Sequence, residues 1–205
     1  MAPTVFGNPI TDETLKALPE YANKEITPKD RAEVALSRKL PPPDFPVNVF
    51  GYIYNATGQT LKLAYDHDWS GHVDESLPYP QNIENGQWGS FRHIGDHTPG
   101  ILSPRLSTAA VVYIASGDLP GRLCKWVLAW DAGVFAHNNK AFTMFEEPQI
   151  VEEKQNWEAL RQKLLNSGHE STDAAYGFKA TVSITDGNTP TFHATITLDL
   201  PLENA

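Results

Sequence analysis

Phe178-Lys179-Ala180-Thr181-Val182-Ser183-Ile184 and Phe192-His193-Ala194-Thr195-Ile196-Thr197-Leu198 read as two strands of strict alternation. In the first, Phe178, Ala180, Val182 and Ile184 share one face, with Lys179, Thr181 and Ser183 opposite. The second repeats the pattern with Phe192, Ala194, Ile196 and Leu198. Asp186-Gly187-Asn188 supplies the turn between them. A period of two with one apolar face is the pattern of a half-buried antiparallel sheet.

The same period runs through most of the chain ahead of this pair. Val49, Gly51 and Ile53 alternate with Phe50, Tyr52 and Tyr54. After Asn55-Ala56-Thr57-Gly58 come Leu61, Leu63 and Tyr65, and the two segments read as a hairpin. Asn85-Gly86 is a turn leading into a strand over 87–93. Ala109-Ala110-Val111-Val112-Tyr113-Ile114 is apolar on both faces, as a central strand is. Leu123–Trp130 and Ala141–Phe145 follow as further strands. One helix interrupts them. Over Val151–Asn166, Trp157, Leu160 and Leu164 fall at helical spacing, and Gly168 sits where a left-handed C-terminal residue belongs. Many short strands and one late helix predict a mainly β fold, a β-sandwich with a helix packed on one face.

Residues 1–46 differ. Thr11–Tyr21 is a short polar helix candidate. A second begins at Thr27, an N-cap residue, with Pro28 in the first helical position, and runs to about Leu40. Pro41-Pro42-Pro43 ends it. The expected organisation is a helical N-terminal arm and Pro-rich linker over 1–46, then a sandwich over 47–205.

Of the 205 residues, 40% are hydrophobic and 20% charged, and the formal net charge is −9. That composition folds. Its acidity disfavours nucleic acid and anionic lipid, both of which reward clustered Lys and Arg. Neutral and zwitterionic surfaces stay open. Cys124 is the single cysteine, so no intramolecular disulfide forms and an oxidising compartment is not required. The first residues lack the basic and apolar regions of a secretion signal. No apolar run reaches the ~20 residues of a spanning helix. The expectation is a protein in the cytoplasm, or released without a signal peptide. Asn55-Ala56-Thr57 matches a glycosylation sequon but reads as a turn.

The search for reaction chemistry leaves little. His67, Asp68 and His72 cluster without zinc-ligand spacing, and His93 and His97 flank a glycine rather than sharing a helix face. Ser90, Ser103 and Ser107 lie in no nucleophile elbow. Cys124 shares strand parity with Trp126, Leu128 and Trp130, the setting of a small buried hydrophobe. Gly86-Gln87-Trp88-Gly89 is no phosphate loop. Neither a metal nor a cofactor is called for, and the expectation is a non-enzyme. What stands out is aromatic residues near turns: Trp69, Tyr79, Trp88, Phe91, Trp130, Phe135 and Trp157. Trp88 and Trp126 read as core. Phe135, in the loop 131–139, reads as an exposed interface residue.

Gly51–Gly58 followed by His67-Asp68-Trp69-Ser70-Gly71-His72 resembles the plant 23 kDa jasmonate-induced proteins. So do Tyr79-Pro80, Asn85-Gly86-Gln87-Trp88-Gly89, Ala109–Tyr113 and Cys124-Lys125-Trp126. The order of Asn55–Gly58, the loop 131–139, the helix at Asn156–Leu160 and Tyr176-Gly177 is also similar to that of the actinoporin-like lipid-binding proteins. That second resemblance implies a sphingomyelin-containing membrane, with or without cholesterol, as partner. It also implies a phosphocholine pocket between the loop and the helix. Trp157 matches the first aromatic of the family's helix, while Arg161 and Gln162 stand in place of two tyrosines. The implied lipid-binding residues are Tyr113, Trp130, Asp131, Phe135, His137, Trp157, Glu158 and Arg161. Pro19, Pro28 and Pro41–Pro43 break the arm that such proteins insert, so binding without pore formation is expected. A lectin-like carbohydrate-binding protein and a ligand-free stress protein are the alternatives.

Overall fold

A computed structural model describes residues 4–9, 47–96, 106–116, 123–134, 138–147 and 156–199. The two helix candidates of the N-terminal arm lie outside them. Twelve strands and one helix make up the described elements: β1 (Val5–Phe6), β2 (Asn48–Ala56), β3 (Leu61–Ser70), β4 (His72–Val73), β5 (Asn82–Ile83), β6 (Trp88–Ile94), β7 (Leu106–Ser116), β8 (Leu123–Gly133), β9 (Lys140–Glu146), α1 (Trp157–Leu165), β10 (Glu170–Ala175), β11 (Phe178–Ile184) and β12 (Thr191–Leu198). They form two packed sheets. Sheet A has the order β1-β6-β2-β12-β11-β10, with β4 also pairing β6, and sheet B the order β5-β3-β7-β8-β9.

The closing pair forms as its alternation demands, with Phe178 opposite Leu198 and Ile184 opposite Phe192. Its apolar face meets the inner faces of β7 and β8 in one core that holds Phe178, Phe192, Phe91, Trp126 and Trp130. β12 then runs parallel to β2. That pairing brings the C-terminal hairpin beside the first long strand.

The expected hairpin of β2 and β3 does not form. β2 pairs with β12 and β6, whereas β3 pairs with β5 and β7 in the other sheet. The turn between them is an arch from sheet to sheet, and Asn55 holds it. Its amide donates to the carbonyls of Gln59 and Ile83, each at 2.7 Å. Its Oδ1 accepts from the Thr57 backbone N–H and hydroxyl. The Asn55 side chain is fully buried, so its nitrogen has no room for a glycan, in agreement with the turn reading.

β7 and β8 are covered on both faces. Ala109, Val111, Tyr113, Trp126, Leu128 and Trp130 face sheet A. Ala110, Val112, Val127 and Ala129 face outward and are covered by Leu160 and Leu164 of α1. Small side chains there let the helix lie close to the sheet. Burying each leucine contributes about 1.5–3 kcal/mol. Asn156 caps α1 by accepting from the Ala159 N–H at 3.0 Å. The helix ends at Leu165 with Asn166 as its C-cap. Gly168 is not among the positive-φ glycines, so the expected left-handed stop is absent. The C-terminal end is tied down instead by the Lys140 ammonium, which donates to the Leu165 carbonyl.

On one side of the sandwich, the edge strands β9 and β10 belong to different sheets. Ser171 and Asp173 on β10 accept from the backbone N–H groups of Thr143 and Phe145. Side-chain acceptors thus satisfy an edge that would otherwise invite another strand.

Gly51 marks the tightest approach between β2 and β6. A Cβ there would lie 2.0 Å from the Phe91 ring, and that ring is fully buried against Tyr79 and Trp130. Gly51→Ala should destabilise the fold by about 1–3 kcal/mol through overpacking. Urea unfolding measures this, and an unchanged midpoint would contradict the packing.

Candidate functional site

β3 carries an extra residue at Ala64. Leu63 pairs with Tyr113, but the next pairing is Tyr65 with Val112. A regular strand would put Leu61, Leu63 and Tyr65 on one face. The bulge turns the strand over. Leu61 and Leu63 face the inter-sheet core, while Tyr65 packs on the helix side. His67, opposite Ala110, follows Tyr65 outward, and Asp66 and Asp68, opposite Val111 and Ala109, turn inward. A second register shift falls between Asp68 and Ser70, and Trp69 also packs on the helix side.

The outward residues meet Trp157 at the start of α1. His67 stacks on the Trp157 indole with centroids 4.5 Å apart and planes 10° apart. Tyr65 and Trp69 approach the same indole edge-on, at 5.8 and 6.2 Å. His67 and Trp69 are in edge contact at 5.1 Å. All four residues are half-buried. The Lys125 ammonium lies 5.7 Å from the Tyr65 ring centroid. One turn along the helix from Trp157 is Arg161, whose Nε is buried with no hydrogen-bond partner. A buried guanidinium N–H without an acceptor is costly, and a carboxylate or phosphate oxygen is its ordinary partner. Glu158 does not fill that role; it accepts from the Gln162 amide at 3.0 Å.

The other expected site residues are distributed differently. Trp130 and Tyr113 are fully buried in the inter-sheet core, on the opposite face of sheet B from Trp157. They cannot line one surface with the helix. Tyr113 donates to the Pro80 carbonyl at 3.0 Å, and burial holds its phenol far above the ordinary range. Asp131 lies at the helix side's parity but is buried, and it accepts the Thr108 hydroxyl at 2.6 Å. Phe135 and His137 lie outside the described residues. Trp157 and Arg161 therefore stay together, and the residues that join them are Tyr65, His67 and Trp69. The alternation of aromatic residues at 65, 67 and 69 was the available signal. It was obscured because Leu61 and Leu63 continue the same parity. Trp88, expected in the core, is instead half-buried on the outer face of sheet A, stacked on Tyr54 at 4.7 Å.

Of the two carboxylates, Asp68 meets sheet A at His93, which is fully buried. His93 Nε2 lies 3.1 Å from Asp68 Oδ1, and Nδ1 lies 2.7 Å from Ser107 Oγ. The Trp130 indole N–H donates to the same Ser107 oxygen at 3.2 Å. A carboxylate only accepts, so Nε2 carries a proton. In the neutral ring Nδ1 then accepts from the Ser107 hydroxyl, and every donor has an acceptor from Trp130 to Asp68. The composition is that of a serine-hydrolase triad, but the sense is reversed: serine sits on Nδ1 and carboxylate on Nε2. Ser107 is fully buried, so no substrate carbonyl reaches it. The relay is a clamp between the sheets. Cys124 is likewise enclosed, and burial raises its thiol to about 12, which leaves it unreactive. Among the described residues no cluster of three or more His, Cys, Asp or Glu is arranged to hold a metal ion. Nor is any helix among them long and apolar enough to cross a membrane.

Residues 46–199 match the model of a family described as Nakanori-like protein. The chain belongs to that family. It is 33% identical over 206 residues to the 23 kDa jasmonate-induced protein of Hordeum vulgare, covering 92% of this chain and 95% of that protein. The crystal structure of the lipid-binding protein Nakanori superposes with a TM-score of 0.70 at 21% identity, over 94% of this chain and 99% of that one. This likeness shows the shared fold, the two-sheet architecture with one helix.

Asp66 is a consequence of the bulge that can be measured. Partial burial, then the neighbouring Asp68, raise its carboxyl, while His93 and His67 pull it back. The unfolded chain releases this proton at lower pH than the folded one, so the carboxylate opposes folding at neutral pH. Asp66→Asn should raise the urea midpoint at pH 7. The gain should vanish below the ordinary aspartate range, where both states hold the proton. A less stable Asn variant at pH 7 would show that the carboxylate is not facing this environment.

Proposed function

We propose that this protein is a non-enzymatic, peripheral membrane lipid-binding protein that takes the phosphocholine headgroup on the outer face of sheet B. The observation that carries the reading is the juxtaposition of the Trp157 aromatic cluster with Arg161. A quaternary ammonium is drawn to aromatic faces by roughly 0.5–2 kcal/mol, and Trp is the best of them. Tyr65, Trp69 and Trp157 supply such faces at a half-buried surface. Arg161 supplies a donor for the phosphate. Residues four apart on a helix stand ~5–6 Å apart at Cβ, which suits two opposite charges on one short headgroup. The net charge of −9 favours a zwitterionic surface over an anionic one. Membership of a family that includes a protein described as lipid-binding supports the same reading.

Sphingomyelin, alone or with cholesterol, is the lipid proposed, and the prolines of the N-terminal arm favour binding without perforation. Vesicle sedimentation tests the first, and dye release the second. Vesicles of sphingomyelin, sphingomyelin with cholesterol, and phosphatidylcholine should pellet the protein, while phosphatidylglycerol vesicles should not. Trp157→Ala and Arg161→Gln should each weaken binding by about tenfold. The Arg161 variant should do so with its thermal unfolding intact. Wild-type affinity in both variants would overturn the site. Failure to bind phosphocholine lipid, together with binding to glycolipid, would favour the lectin-like reading. Release of an entrapped dye at saturating protein would overturn the absence of pores.

A further inference from the structure

Among Tyr65, His67, Trp69 and Trp157, only His67 has a side chain that can take up a proton and become a cation. It lies 4.5 Å from the Trp157 indole and nearly parallel to it, within the range of a cation–π contact. Its other ring contact is Trp69 at 5.1 Å. We infer that His67 is a built-in competitor of the headgroup cation: once protonated, it places an imidazolium on the indole that the quaternary ammonium uses, so lipid binding is released by acid. This inference rests on the reading that the Trp157 face takes phosphocholine.

The charged groups around the indole oppose a second cation at this place. On the helix, Arg161 brings a positive charge, and Glu158 is engaged with Gln162. On β8, Lys125 lies over Tyr65. On β7 the residue opposite His67 is Ala110, which carries no charge. On β3 itself, Asp66 and Asp68 pair with Val111 and Ala109 on the inward side of the sheet. Asp68 is committed to His93. A protonated His67 and a choline ammonium would therefore share one indole with Lys125 and Arg161 in the same neighbourhood, while the described carboxylates of β3 and α1 belong to residues paired with β7 or are engaged with Gln162. The neutral imidazole, by contrast, is a fourth ring of the cluster. A phosphocholine head keeps its zwitterionic charge between pH 5 and 8, so acid changes the protein and not the lipid.

The test is the ratio of vesicle affinities at pH 7.5 and 5.5, measured by sedimentation with sphingomyelin–cholesterol vesicles. The ratio removes any change in absolute affinity that a substitution brings. The wild type should bind roughly tenfold more weakly at pH 5.5. His67→Phe keeps an aromatic ring, and His67→Gln keeps a polar uncharged one; neither can be protonated in this range. Both should bring the ratio close to one, with near-ultraviolet circular dichroism confirming the fold at each pH. A wild-type ratio near one would overturn the competitor while leaving the lipid reading intact. A pH dependence that survives in both variants would overturn it too, and would transfer the effect to His93 and its carboxylates. Absence of wild-type binding at pH 7.5 would remove the lipid reading and this inference together.

Discussion

The single extra residue at Ala64 sets the relation between the two faces of β3. Upstream of it, Leu61 and Leu63 belong to the core between the sheets. Downstream, the same parity faces outward. Because the side-chain period is two, a one-residue insertion exchanges the faces of everything that follows. Two arrangements depend on that exchange. The aromatic residues of β3 reach the helix, and Asp68 reaches His93 on sheet A. Without the bulge, Tyr65 and His67 would be driven into a core already filled by Tyr113 and Trp130. Asp66 and Asp68 would then lie on the helix side, where Leu160 and Leu164 need an apolar floor.

The two results support one another. Asp68 turned inward is partly removed from water, and it is accommodated because His93 donates to it. His93 is in turn held by Ser107, and Ser107 by Trp130. The polar chain thus spans from one sheet to the other and fixes their relative position at the edge of the sandwich. On the outer side, Ala110 and Val112 stay small, so α1 seats low on the sheet and presents Trp157 at the level of the β3 rings. The cluster on the surface is positioned by elements whose own packing is fixed from within. A recognition surface needs that support to hold its geometry.

How far this was legible in the sequence follows from which signals are local. The hairpin of β11 and β12 was plain, since each strand carries one unbroken apolar face and the turn is three polar residues. The two-faced burial of Ala109–Ile114 and the helix around Leu160 were also plain, because each is a continuous pattern. The partner of β2 was not. A turn such as Asn55–Gly58 closes a hairpin or an arch with the same residues, and only the distant Ile83 carbonyl that Asn55 reaches decides between them. β10 was missed because Glu170-Ser171-Thr172-Asp173-Ala174-Ala175 has no apolar face. Its inward positions serve hydrogen bonds to β9 instead. For the site, Trp157 was placed on the helix by its spacing with Leu160 and Leu164, which is self-contained, and Arg161 by the family resemblance. Trp130 and Tyr113 were grouped with them as part of the site that the resemblance implies, and order along the chain says nothing of which face of a sheet a residue occupies.

The charge of the chain and the chemistry of the cluster bear on one another. The net charge of −9 works against anionic surfaces, yet cationic side chains stand near the aromatic rings. Lys125 stands over Tyr65, and Arg161 follows Trp157. Among the described residues, these two positive charges stand beside the rings in a chain that is acidic overall. A partner that is anionic throughout would meet the long-range repulsion before it reached Arg161. A purely cationic one would be attracted from a distance and then meet Lys125 and Arg161 at contact. A zwitterion feels little of the long-range term, since its two charges nearly cancel beyond a Debye length. At contact it can divide itself, with phosphate toward the guanidinium and ammonium toward the rings. On the proposed reading, such a surface would select at close range for a molecule that carries both charges on a short tether, as a choline headgroup does, rather than for either ion alone.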